Sequence, residues 1–84
     1  MIGHVVEARE NYNRVVYEAD GQYGYLDIVN IASLTKGDTI DGDIGTLGRK
    51  RVMKNKDEKL VEVQIGNYGI SRAEALKKYK QAQK

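Results

Sequence analysis

The fold is decided by the stretch Gly21–Ile28, which reads Gly-Gln-Tyr-Gly-Tyr-Leu-Asp-Ile. Alternate residues of a β-strand point to opposite faces of the sheet. Leu26 and Ile28 would therefore face a core, whereas Tyr23 and Tyr25 would emerge together on the outer face. The stretch predicts one strand, from about Gln22 to Val29 or Ile31, of a small, curved sheet with an aromatic outer surface.

The residues before this strand continue the same alternation toward the start of the chain. Asp20-Gly21 lies between two alternating segments and predicts a tight hairpin turn, with a second strand at residues 14–19. Asn11-Tyr12-Asn13 predicts another turn, because asparagine tolerates positive backbone angles. A first strand would then run through residues 2–9.

The residues after it alternate as well, with a short Lys36-Gly37-Asp38 turn in between. Three further strand-like segments follow, at residues 39–44, 51–53 and 60–65. Gly42, Gly45 and Gly48 interrupt this part of the chain, and glycine inside a strand marks a bulge or a sharp bend. Repeated bends let a small sheet close on itself. We therefore expect a mainly β fold, a five- to six-stranded antiparallel barrel, over residues 1–70.

The period of the sequence changes from two to that of a helix after Ile70. Ser71-Arg72-Ala73-Glu74 forms a capping box, in which two side chains satisfy free amides at a helix start. A thin apolar stripe follows, made of Ala75, Leu76, Tyr79 and Ala82. Lysines fill the second half, where the helix dipole favours positive charge. The pattern predicts a C-terminal helix over residues 71–84 that belongs to the same domain and either packs one side on the barrel or plugs one of its ends.

Composition places this chain among small single-domain proteins. It has 84 residues and no cysteine, which excludes disulfides and thiolate metal sites. No apolar segment approaches the roughly 20 residues that span a bilayer. The start lacks a positive end followed by an apolar run, so no secretory signal is visible. We expect a soluble, cytoplasmic protein with no membrane partner.

The charge is divided unevenly along the chain. Residues 1–48 carry three basic and eight acidic side chains, whereas residues 49–84 carry eleven basic and four acidic ones. Such a division either creates a basic face for phosphates or lets the two halves of the fold attract each other. The sequence leaves both explanations open.

These features resemble the oligonucleotide/oligosaccharide-binding (OB) fold over residues 2–67. The likeness rests on Gly3-His-Val-Val, the Asp20-Gly21 hairpin, Gly24-Tyr25-Leu26 and the Lys36-Gly37-Asp38 turn. Ribosomal-type RNA-binding barrels and cold-shock domains look similar at these points. Gly21-Gln-Tyr23-Gly24-Tyr25 is similar to the base-stacking strand of cold-shock domains, with one residue inserted. The second aromatic motif of those domains and a helix between strands three and four are missing, so the resemblance is one of fold.

The resemblance implies a binding face on the outside of strands two and three, framed by the first and fourth interstrand loops. It places Tyr23 and Tyr25 on that face, with Arg14 on the neighbouring strand and Arg9 near the first loop. A basic rim would lie in or beside the last hairpin, formed by Arg49, Lys50, Arg51, Lys54 and Lys56. We therefore expect single-stranded RNA or DNA binding with little sequence preference and no cofactor.

Each part of this interpretation has an alternative. Glu18 and Asp27 would point outward beside the tyrosines and repel phosphates, and tyrosine is common in strands without binding anything. The basic run is equally explained as a solvated hairpin that discourages edge-to-edge aggregation. The alternative function is a protein–protein interaction module, which docks another protein or a second copy through the tyrosine face or an open sheet edge. A monomer and a weak homodimer are both compatible with the sequence.

The sequence does not suggest an enzyme or a metal site. His4 is the only histidine, it lies in the first strand, and no serine has a recognisable catalytic partner pattern. Asp41-Gly42-Asp43 lacks the later glutamate and the spacing of a calcium loop, so it is interpreted as part of a bent strand.

Overall fold

Six β-strands and one helix form the regular structure of residues 1–81, the residues that this computed structural model describes. They are β1 (Ile2–Glu7), β2 (Arg14–Ala19), β3 (Gln22–Ile28), β4 (Thr39–Asp41), β5 (Gly48–Lys54), β6 (Lys59–Ile70) and α1 (Arg72–Gln81). The strands close into a barrel in the order β1-β2-β3-β6-β5-β4. The predicted mainly β barrel with a C-terminal helix is confirmed. Ala82 and Lys84 of the predicted helix lie outside the described residues.

The barrel consists of two three-stranded meanders, β1-β2-β3 and β4-β5-β6, joined along two seams. At one seam β1 pairs antiparallel with β4, with Ile2 opposite Asp41. At the other β3 pairs antiparallel with β6, with Leu26 opposite Ile65. Because the circuit is closed, each of these six strands has a neighbour on both sides. An open sheet edge is therefore not available for docking in the described part of the chain.

The two predicted turns of the first meander are confirmed by their backbone angles. Asp20 and Gly21 have φ values of 53° and 77°, the left-handed conformation that a two-residue hairpin requires. Asn11 has φ 62° in the connection between β1 and β2. The Glu18 carboxylate accepts a hydrogen bond from the Gly21 amide at 2.8 Å, which stabilises the hairpin.

All three strands of the second meander differ in length from the prediction, and β5, expected at residues 51–53, spans Gly48–Lys54. The strand expected at residues 39–44 ends at Asp41, because the Gly42 amide donates to the carbonyl of Met1 and the chain then bends away. β6 continues past residue 65 to Ile70, and two register shifts in its pairing with β3 accommodate the extra length. These shifts are β-bulges, which bend the strand and increase its twist.

Tyr17 occupies the centre of the barrel. Its ring is fully buried and stacks on the ring of Tyr68, with centroids 6.1 Å apart. Its hydroxyl donates to the carbonyl of Ile44 at 2.5 Å, and the Tyr68 hydroxyl donates to the carbonyl of Ala19 at 2.6 Å. Aliphatic side chains fill the remaining interior: Val5, Val15, Leu26, Ile28, Leu34, Ile40, Ile44, Val52, Val61, Val63 and Ile65.

We expect the barrel to lose stability above about pH 10, the ordinary pKa of tyrosine. Burial raises the pKa of Tyr17, Tyr68 and Tyr79 in the folded protein. The unfolded chain therefore releases these protons at a lower pH than the folded chain does. Below the pKa of tyrosine in the unfolded chain, a change of pH does not alter the contribution of these groups to the free energy of unfolding. Above that pKa the free energy of unfolding falls, until the pH reaches the higher pKa values of the folded protein. Thermal unfolding at a series of pH values should show this decline.

The Tyr17→Phe variant serves as the control for this effect. It should be less stable at neutral pH, because the Ile44 carbonyl loses its donor. Its stability should nevertheless fall less steeply above about pH 10 than that of the wild type, since one raised pKa is removed. Equal slopes for the two proteins would contradict a role for Tyr17 in the alkaline transition.

Candidate nucleic-acid interface

The helix α1 covers the outer face of β2 and β3. Ala75 and Tyr79 are buried there with Val16, in a second hydrophobic cluster outside the barrel. Tyr23 and Tyr25 pack against this cluster and are half-buried. The two tyrosines thus lie on the outer face, as their alternation predicts, but beneath the helix.

Both ends of α1 are fixed by hydrogen bonds. At its start, the Ser71 hydroxyl accepts from the Glu74 amide at 3.1 Å, which is half of the predicted capping box. At its end, the Arg14 guanidinium donates to the carbonyl of Lys78 at 3.2 Å, and the Tyr12 hydroxyl donates to the carbonyl of Tyr79. The ring of Tyr12 also meets the ring of Tyr79 edge to face, with centroids 5.0 Å apart.

Arg14 is fully engaged within the protein. Its guanidinium donates to both carboxylate oxygens of Asp27, at 2.7 and 2.9 Å. It also lies over the ring of Tyr25, 4.7 Å from the centroid. The hydrogen bond to Asp27 raises the pKa of Arg14. The same pair neutralises Asp27, one of the two carboxylates expected to repel phosphates on this face.

Two of the five basic residues of the predicted rim have partners within the protein. Lys50 donates to the Asp43 carboxylate at 3.1 Å, which lowers the pKa of Asp43. Lys54 donates to the carbonyl of Ser33 at 3.2 Å, and its ammonium lies 3.9 Å from Asp38. Asp38 is buried and accepts from the Thr35 amide at 2.8 Å, so these contacts fix the connection between the two meanders.

The other three basic residues of the rim, Arg49, Arg51 and Lys56, are exposed. Arg49 and Arg51 alternate with the buried Val52 on β5 and therefore point outward. Arg51 lies 3.8 Å from the Glu62 carboxylate, a long and solvated ion pair. These three cations are the part of the rim that is open to a ligand.

The register of the strands connects Arg49 with the Arg14–Asp27 pair by a row that runs around the outside of the barrel, where β2 and β5 lie on opposite sides. Arg14 lies opposite Asp27, Asp27 opposite Gln64, and Gln64 opposite Arg49. One row of polar side chains thus crosses β2, β3, β6 and β5. Because strands repeat every 4.7–4.9 Å, the row spans roughly 15 Å.

A cavity of about 510 Å³ opens where the first interstrand loop meets the connection between β3 and β4. Its apolar lining includes Ala8, Ile28 and Leu34, and its polar lining includes Arg9, Asn11, Asn13, Ser33 and Thr35. The guanidinium of Arg9 lies over the ring of Tyr12, 5.7 Å from the centroid. We call this the loop cavity. A second cavity of about 440 Å³ shares Asn11–Asn13 with it and extends to Arg14 and Asp27.

The loop cavity was not predicted, because its two walls are far apart in the sequence. Asn11 and Asn13 suggest only a turn when they are considered alone. The one local indication of a polar site in this part of the sequence is that an asparagine lies on each side of Tyr12. The structure therefore adds Asn11, Tyr12, Asn13 and Gln64 to the candidate residues.

Comparison of the chain with protein-family models, curated proteins and solved structures finds no match. Within residues 1–81, no helix has the length and apolar character needed to cross a membrane. The same residues contain no group of three or more metal-ligating side chains placed to hold an ion.

We expect Tyr79→Ala to destabilise the protein by about 2–4 kcal/mol, since it empties the outer cluster and removes contacts to Val16 and Tyr12. Lys80→Ala, on the exposed side of the same helix, should change stability by less than about 0.5 kcal/mol. Urea unfolding of the two variants compares them directly. Equal stability would show that the barrel does not depend on α1.

Proposed function

We propose that this protein binds single-stranded nucleic acid, with little sequence preference, on the outer surface between the first interstrand loop and β5. The observation that carries the proposal is the register of the strands. It joins Asp27 to Gln64 and Gln64 to Arg49, so a polar row around the barrel connects Arg49 on β5 with the cavities at the first loop. A nucleic-acid strand that wraps around the barrel along this row meets positive charge at one end and a concave, partly apolar site at the other.

Arg49, Arg51 and Lys56 supply the contacts to phosphate. All three are exposed, and a guanidinium binds phosphate through two parallel hydrogen bonds. Asp27 does not oppose this binding, because Arg14 neutralises it through two hydrogen bonds. Contacts of this kind are independent of sequence and weaken with salt.

The loop cavity supplies a place for a base. Its volume of about 510 Å³ falls within the range of small-molecule sites, roughly 300–1,000 Å³. Its apolar wall at Ala8 and Leu34 suits the face of a planar ring, and the side-chain amides of Asn11 and Asn13 suit its polar edge. One base held in this way gives affinity with modest discrimination.

Stacking of bases on Tyr23 and Tyr25, the mechanism that the sequence suggested, competes with the packing of α1, which leaves both rings only half exposed. Both rings pack against the cluster that contains Ala75 and Tyr79. The proposal therefore assigns these two tyrosines to holding the helix and assigns ligand contact to the loop cavity and β5.

The OB resemblance supports this choice of surface. OB barrels bind oligonucleotides through the faces of strands two and three and through two interstrand loops, of which the first is the loop that lines the cavity here. This barrel closes six antiparallel strands, whereas an OB barrel has five and is partly open. The helix then covers much of the strand face, and the loop is left accessible.

Fluorescence anisotropy with short single-stranded RNA and DNA tests the proposal. We expect the double variant Arg49→Ala/Arg51→Ala to raise Kd about tenfold at low salt and to reduce the slope of log Kd against log salt by about two. Arg72→Ala/Lys77→Ala removes the same charge from exposed positions of α1 and should raise Kd by less than about twofold.

Three outcomes would contradict the proposal. The first is no binding by the wild type at low salt, and the second is an equal loss in both double variants, which would reflect net charge alone. The third concerns the double variant Tyr23→Ala/Tyr25→Ala. We expect its Kd to equal that of the wild type when the protein concentration is corrected for the folded fraction. Weaker binding by the folded variant would move the site to the tyrosine face.

A further inference from the structure

Tyr12 connects the loop cavity with the end of helix α1. It lies in the first interstrand loop and lines both the loop cavity and the second cavity, which extends to Arg14. Its hydroxyl donates to the carbonyl of Tyr79, and its ring meets the ring of Tyr79 edge to face, with centroids 5.0 Å apart. One side chain therefore contacts both the candidate ligand site and the helix.

Helix α1 runs along the barrel from the end of β6 to the first interstrand loop. It begins shortly after Ile70, which lies opposite Tyr23. Its ten residues rise about 15 Å, and its end is bound by Tyr12 and Arg14. Replacing Tyr23 and Tyr25 removes packing beneath the helix but neither of the hydrogen bonds at its end. The contact with the first loop is therefore separate from the contact with the two tyrosines.

The hydrogen bonds at its end matter to α1 because the helix is short. A helix of ten residues is marginal on its own in water, and its last four carbonyls have no partner within the helix. Arg14 and Tyr12 donate to two of these carbonyls, those of Lys78 and Tyr79. The last turn of α1 thus depends on the first loop and on the start of β2.

The first loop depends on the helix in turn. Residues 8–13 lie between β1 and β2, outside the strand ladders. Their backbone is held at Arg9, whose carbonyl accepts from the Tyr12 amide at 3.2 Å, and at Asn13, whose carbonyl accepts from the Ile28 amide at 2.9 Å. The side chain of Tyr12 adds a third anchor, on α1. The middle of the loop therefore takes its position from the helix.

We propose that Tyr12 is a positioning residue for the ligand site. Held by the carbonyl of Tyr79, it keeps the first interstrand loop in the shape that presents the side-chain amides of Asn11 and Asn13 to a base. This inference rests on the proposed function. No described residue of α1 lines the loop cavity, so the helix acts on the ligand through the loop. Because such coupling is reciprocal, ligand binding also stabilises the docked helix.

Fluorescence anisotropy with short single-stranded RNA and DNA compares Tyr12→Phe with the wild type. The substitution removes the hydroxyl and keeps the ring that lines the cavity and meets Tyr79. We expect Kd to rise about fivefold, because the ligand-binding shape becomes a smaller fraction of the loop population. The slope of log Kd against log salt should equal that of the wild type, since the phosphate contacts on β5 are unchanged.

Tyr68→Phe is the matched control. It also removes a tyrosine hydroxyl that donates to a backbone carbonyl, that of Ala19 at 2.6 Å. Ala19 lies at the opposite end of β2 from the first loop. The Kd of this variant should therefore equal that of the wild type.

Amide hydrogen exchange in α1 measures the coupling in the other direction. In the wild type, saturating oligonucleotide should slow exchange in the last turn of the helix about fivefold. In Tyr12→Phe, saturated with the same oligonucleotide, the exchange should slow by less than about twofold, because the link between the loop and the helix is lost.

The outcomes separate this inference from the proposed function. If Tyr12→Phe binds with the Kd of the wild type, the inference is overturned and the proposed function stands. An equal rise of Kd in Tyr68→Phe would overturn it as well, as would exchange in α1 that bound oligonucleotide does not slow in the wild type. If the wild type does not bind at low salt, the proposed function fails and the inference fails with it.

Discussion

The buried hydroxyl of Tyr17 is the constraint on which the rest of the structure depends. A buried phenol hydroxyl without a hydrogen-bond partner would destabilise the folded state by about 1–3 kcal/mol. Its partner is the carbonyl of Ile44, which lies in a connection and not in a strand. The chain after β4 therefore turns inward to reach it. Neighbouring strands make room for the ring: a Cβ on Gly24 would lie 2.8 Å from the Tyr17 hydroxyl oxygen, closer than real Cβ atoms come.

The same ring links the interior to the outer surface. Tyr68 stacks on Tyr17 from the last part of β6, so β6 runs on past Ile65 and its bulges carry it to Ile70. Gly66 at this point leaves space for the ring of Tyr25, which a Cβ there would overlap. Tyr25 in turn lies under the Arg14 guanidinium, which binds the end of α1. Interior packing thus determines where the helix lies and which part of the outer face stays open.

Local patterns predicted the first meander well and the candidate site only in part. The alternation that predicted β2 and β3 and the turn residues Asp20-Gly21 act over short distances; the structure has β2 and the turn as predicted, and β3 ends at Ile28. β4 ends where the Gly42 amide bonds to Met1, and β6 is extended where Tyr68 stacks on Tyr17. The periodicity of the sequence does not indicate such long-range contacts. The sequence gives no sign that Lys50 and Lys54 of the predicted basic rim have carboxylate partners, because only the folded chain brings these partners near. The loop cavity was missed for the same reason.

The arrangement of two meanders and two seams also bears on how the chain folds. Within each meander, pairing joins strands that follow one another, so each forms by short loop closures with a small entropy cost. The seams join residues from distant parts of the sequence, such as Leu26 with Ile65. Neither seam forms without bringing the two halves together, and closing one places the strands of the other within reach. Because these long-range pairings carry the larger loop-closure cost, we expect the encounter of the two halves, rather than the formation of any single strand, to limit the folding rate.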